Sequence, residues 1–185
     1  MKTLRVKLAL AFVAVAVLSI AVVAIAAAHG GHGVREKLTG YQEVPALSTT
    51  GHGQFRLSVD RKHSEIHYVL TYGGLESQAT QSHIHFENRT NSGPVIVFLC
   101  TNLGNGPAGT QACPPNGGTI SGTIRAADMV NGGAAQGLAA GEFDELVRAI
   151  KAGATYVNVH SVNRPAGEIR AQLVRGGGPD RDKQH

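Results

Sequence analysis

The residues best suited to chemistry in this chain are two histidines in the stretch Ser82-His83-Ile84-His85-Phe86. In an extended strand alternate side chains share a face, so His83 and His85 point one way while Ile84 and Phe86 point the other. Each neutral imidazole offers a nitrogen lone pair, and two rings held two residues apart can chelate one metal ion. His160 is a third candidate, in Tyr156-Val157-Asn158-Val159-His160, where it lies opposite Val157 and Val159. If the two strands are neighbours, three imidazoles meet on one polar face. Such a set suits copper in either oxidation state, or zinc, and spacing alone does not choose between them. Export, argued below, favours copper. His67 is a further candidate ligand, as is His29, whose ring and amine could hold a cupric ion if processing exposed them. The plain alternative is a polar network across strands, with His67 solvated and His29 in a flexible tail.

The elements that must position these rings read as short strands. Phe55, Leu57 and Val59 alternate with polar residues, as do Ile66, Tyr68 and Leu70 on the return from a hairpin at 60–63. Residues 38–41 begin an earlier strand. Residues 95–100 form an unbroken apolar run suited to a strand buried on both faces. Residues 118–124 offer another strand, 126–141 a connector of small residues, and Ile169, Ala171 and Leu173 the last strand. One helix is predicted: Phe143, Leu146, Val147 and Ile150 fall at helical spacing, with acidic residues in the first turn and Gly153 as a stop. These elements predict an all-β fold, an antiparallel Greek-key-like sandwich or barrel of about seven to nine strands with one short peripheral helix.

The first 28 residues read as a signal peptide, with Lys2, Arg5 and Lys7 ahead of a long apolar run that ends in Ala26-Ala27-Ala28. The run is also long enough to serve as an uncleaved membrane anchor. Residues 29–37 then form a flexible His/Gly linker, 38–174 the β domain and 175–185 a disordered tail. The chain of 185 residues carries a formal charge of +4. Removal of the signal lowers this to about +1, which with few aromatics and no tryptophan gives no footprint for nucleic acid. Cys100 and Cys113 flank a Gly-, Asn- and Pro-rich segment, and in an oxidising compartment they pair as a staple. Closing a loop of roughly 15 residues contributes about 3 kcal/mol.

Arg170, Glu43 and Glu168 form a second constellation, read as a structural ion pair tying the first strand to the last. No G-x-S-x-G, P-loop, dinucleotide fingerprint or H-E-x-x-H is present, so catalysis has no motif behind it.

Three segments together carry a family resemblance: 38–45 (Leu-Thr-Gly-Tyr-Gln-Glu-Val-Pro), His83-Ile84-His85-Phe86 with Gly93-Pro94-Val95, and 156–160 with 167–172. In order and spacing the chain resembles the CHRD domain family, named from chordin, over 38–174. The resemblance implies an exported β-rich domain, secreted, periplasmic or at the cell surface, and adds little about activity. It departs from the family pattern at Glu87, Asn88 and Ala171, and in the cysteine-closed loop. The histidine pair is also similar to the copper-ligating strand of copper and zinc superoxide dismutases, but the bridging histidine and the zinc loop have no counterpart here. The expectation is a metal-binding protein for storage, tolerance or delivery. An adhesion or protein-partner module without metal is the alternative, and dismutase activity is the enzymatic one.

Overall fold

The computed structural model describes residues 33–174. The predicted signal segment, His29 and the expected tail at 175–185 lie outside the described residues. The strands are β1 (Gly33–Thr39), β2 (His52–Asp60), β3 (Glu65–Gly73), β4 (Ala79–Phe86), β5 (Val95–Thr101), β6 (Gly118–Ile124), β7 (Thr155–Ser161) and β8 (Ile169–Gln172). A single α-helix, α1 (Phe143–Ala152), precedes β7, and three short 3-10 turns complete the described elements. The sequence reading of an all-β chain with one short helix holds.

All eight strands belong to one antiparallel sheet in the order β5-β4-β7-β8-β1-β2-β3-β6, rolled into a nearly closed barrel. The apolar positions of alternating strands point inward. Leu38, Phe55, Ile66, Leu70, Ile84, Leu99, Val157 and Ile169 join Leu146, Val147 and Ile150 of α1 in one buried cluster. Each such side chain contributes about 1.5–3 kcal/mol on burial. The helix forms because that apolar stripe has somewhere to go. Asp144 and Glu145 complement its N-terminus and Lys151 its C-terminus, and Gly153 at φ +71° ends it in the left-handed conformation.

The barrel closes through side chains rather than a ladder. The Tyr68 hydroxyl on β3 donates to the Leu99 carbonyl on β5 at 3.1 Å. Gln111 Nε2 reaches Leu99 O at 3.1 Å, Ser121 O of β6 at 3.2 Å and Tyr68 Oη at 2.9 Å. Gln111 sits in the loop closed by the Cys100–Cys113 disulfide, whose Cα atoms are 5.0 Å apart. The staple read from the sequence therefore also holds the bridge between the two sheet edges.

Two boundaries differ from the sequence reading. Residues 33–37, read as linker, form the first part of β1 and pair with β2 from Gly33↔Ser58 to Lys37↔Gln54. Val34 and Leu38 are the only buried side chains of β1, separated by charged residues, so the period-two signal is too sparse to read. Tyr41, placed in the first strand, lies in a 3-10 turn and is exposed.

Candidate metal centre

The register of β4 against β7 builds the site. Gln81 lies opposite His160, His83 opposite Asn158 and His85 opposite Tyr156, while β8 places Arg170 beside Asn158 and Gln172 beside Tyr156. These side chains stand on the outer face of the barrel, away from Ile84, Val157 and Val159. An outer face is ordinarily solvated. Here His83, His85 and His160 are only 2%, 7% and 5% exposed, because three loops cover them.

Each loop is held by a polar group of the face. His85 Nδ1 donates to Gly93 O at 2.8 Å, and Gly93 N donates to the Tyr156 hydroxyl at 3.1 Å. Gln172 donates to Glu87 O, and its own backbone N–H donates to Gln42 Oε1. His160 Nδ1 donates to Pro165 O at 3.0 Å. Burial of these polar groups is tolerated because each finds a partner.

One nitrogen from each of the three histidines lies within 4.8 Å of the others. A point no farther than about 2.8 Å from all three therefore exists, close to the metal–nitrogen distance of about 2 Å. Since carbonyl oxygens take the Nδ1 protons of His85 and His160, both rings present their Nε2 lone pairs. His83 Nδ1 is 3.2 Å from His160 Nε2, and His83 Nε2 is buried with no hydrogen-bond partner. Burial, with smaller contributions from the neighbouring imidazoles, lowers the His83 pKa to about 2. Burial likewise lowers His85 to about 4 and moves His160 below the usual histidine range. The three rings are thus neutral at physiological pH, the form that ligates.

Ring packing fixes their orientation. Phe98 meets His83 edge-on at 4.4 Å between centroids, and Tyr156 stacks on His85 at 4.6 Å. The Arg170 guanidinium lies 3.5 Å from the centroid of the same Tyr156 ring.

Other sequence candidates stand elsewhere or act differently. His67 is on β3, exposed, bonded to Thr123 and near Glu65, so it is not part of the cluster. A polar-face position on β3 does not reach β4, because β2, β1, β8 and β7 intervene in the sheet. Arg170 makes no salt bridge with Glu43 or Glu168 among the described residues. It donates instead to the Asn88 carbonyl at 3.1 Å and leaves Nη1 without a partner. Glu168 is taken by the hydroxyls of Thr49 and Ser161 and by the Glu76 N–H. Glu43 feels Arg170 only through space. Burial raises its pKa to about 7, partly offset by Arg170, the Val44 N–H and the Asn158 amide, and its Oε1 is unpartnered.

Asn158, Tyr156 and Gln172 are the site residues that sequence reasoning passed over. The signal for the first two was present, since they alternate with the valines on the same strand as His160.

No curated protein and no solved structure matches the chain. Among protein families, the CHRD domain matches residues 34–173, a span that takes in all of the barrel's strands but for Gly33 at the start of β1, and all three histidines. The chain belongs to the CHRD domain family.

Proposed function

We propose that this protein is an exported metal-binding protein that holds one copper ion through His83, His85 and His160, for storage, tolerance or delivery. The observation that carries the reading is the pair of carbonyl-held Nδ1 protons, which leave the Nε2 atoms of His85 and His160 aimed into a buried cluster of neutral rings. Histidines that merely stabilise strand pairing need no such arrangement. Outer partners of this kind are the usual companions of metal-ligating imidazoles. Copper is favoured over zinc because nitrogen sites bind Cu(II) most tightly of the divalent first-row ions. The disulfide and the family support an oxidising compartment outside the cytoplasm. The near-complete burial of the rings supports holding an ion over turning over a substrate.

Titration of the exported protein with Cu(II) and Zn(II) tests the reading. One equivalent is expected, with nitrogen hyperfine structure in the cupric spectrum. The variant His83→Ala/His85→Ala/His160→Ala is expected to lose it, and unchanged stoichiometry in that variant overturns the proposal.

A further inference from the structure

We infer that Asn158 Oδ1 is a fourth donor to the three-histidine site, set in place by Glu43, and that this oxygen biases the site toward divalent copper. The inference rests on the metal-binding reading above and extends it to a residue outside the histidine set.

Asn158 is 2% exposed, at the centre of the polar face, with His83 opposite it on β4 and Arg170 opposite it on β8. Its Oδ1 lies 3.1 Å from His85 Nε2. The single proton of a neutral His85 is committed to Gly93 O by the shorter contact of 2.8 Å. Nε2 and Oδ1 therefore confront each other as two acceptors, with no proton between them. Two lone pairs in that position repel in a buried site, and a cation placed against both relieves the repulsion.

Turning the amide over would also relieve it, by presenting Nδ2 to the ring. Glu43 opposes that rotation, since its carboxyl stands on the amide-nitrogen side of Asn158, both groups flanking the same point beside Gly167. Gly167 makes room for the arrangement. A Cβ there would stand 2.8 Å from Asn158 Nδ2 and closer still to Glu43 Oε1, and its φ of +130° is one that side-chain-bearing residues rarely adopt. The amide oxygen is thus directed at the histidines by a neighbour that touches none of them. An amide oxygen is a hard donor. Cu(I) is served by the softer imidazoles alone, while Cu(II) and Zn(II) gain from a fourth position.

The test compares the exported protein with Asn158→Ala, Asn158→Asp and Glu43→Ala, using Cu(II) and Cu(I) separately against competing chelators. Asn158→Ala is expected to weaken Cu(II) by about 10–100-fold and to alter the cupric spectrum. Cu(I) affinity stays unchanged, so the copper potential rises by about 60–120 mV. Asn158→Asp restores the oxygen and the Cu(II) affinity. Glu43→Ala lies in a covering loop and keeps the inference testable if Asn158→Ala does not fold; its expected effect is a smaller loss in the same direction. Unchanged Cu(II) affinity and spectrum in Asn158→Ala or, where that variant does not fold, in Glu43→Ala overturns the fourth donor and leaves the three-histidine reading standing. Equal losses for both oxidation states assign Asn158 to structure and also overturn it. A parent protein that binds neither ion removes both readings.

Discussion

Strands β3 and β7 have similar sequences in pattern and opposite fates in burial. Both alternate polar and apolar residues, yet β3 is buried only at every second residue while every residue of β7 is buried. The difference lies in what covers the outer face. Beside β3 stand β2 and β6, whose outward residues Gln54, Arg56, Thr119 and Ser121 meet solvent or each other. Over β7 lie the 87–93 hairpin and the segments around Gln42 and Pro165, held by side chains of the face and by the Gln172 backbone N–H. Alternation shows that a strand has a polar side. Whether that side becomes a solvated wall or a dry polar layer depends on the loops, and only the second can lower imidazole pKa values by burial.

The contrast is broken most directly with arginines. Arg170→Ala removes a cation from the Tyr156 ring and leaves the Asn88 carbonyl without its donor; a desolvated cation–π contact and a charged hydrogen bond together are expected to cost about 3–5 kcal/mol, read by urea unfolding. Arg56→Ala on β2 is expected to stay within about 0.5 kcal/mol, and a comparable loss at both sites would erase the distinction. Cys100→Ser/Cys113→Ser should cost about 3 kcal/mol. Hydrogen exchange should then speed up first in β5 and β6, because Gln111 no longer holds their edges; uniform acceleration would contradict that bridge.

Acid should weaken the polar layer specifically. His83 and His85 remain neutral in the folded chain down to about pH 2 and about pH 4, whereas unfolded they take up protons near 6.5. The unfolded state therefore binds more protons below 6.5, and each ring removes about 1.4 kcal/mol of stability per pH unit lost across its window. Glu43 works the other way. Its raised pKa makes the folded state the better proton binder between 4.5 and about 7, so its contribution is full at low pH and is lost as pH rises through that interval. The net expectation for the metal-free protein is a loss of at least about 1.4 kcal/mol per unit from pH 6 to 5, to which the lowered His160 adds in the same direction, followed by chemical unfolding at each pH. Replacing both histidines should abolish or reverse the slope, and a slope that survives would place its origin elsewhere. Gln111→Ala should have a smaller effect than the disulfide variant, about 1 kcal/mol, since the Ser121 carbonyl loses its Gln111 donor while the Leu99 carbonyl keeps the Tyr68 hydroxyl.

Much of the barrel was legible because Phe55, Leu57, Ile66 and Leu70 alternate cleanly and α1 carries a full amphipathic stripe. The meeting of His83, His85 and His160 was legible for the same reason, since each lies opposite a branched apolar residue that must face the core. The role of Asn158 was not. An asparagine on a polar face reads as solvated until the loops that bury it are known, and loops leave no periodicity. The supposed Arg170 ion pair failed for a related reason. Opposite charges in sequence predict attraction, but Glu168 had nearer hydroxyl partners and the guanidinium had an aromatic face to rest on.

Because β1 and β8 are antiparallel neighbours, the chain enters the barrel along one and departs along the other toward the same end. A polypeptide attached before Gly33 or after Leu173 thus meets the domain at a single pole. The barrel can hang from a longer thread as a pendant, without a segment having to run its length. Joining the two ends by a short linker and opening the chain at the exposed 60–64 hairpin should yield a circular permutant with its histidines undisturbed.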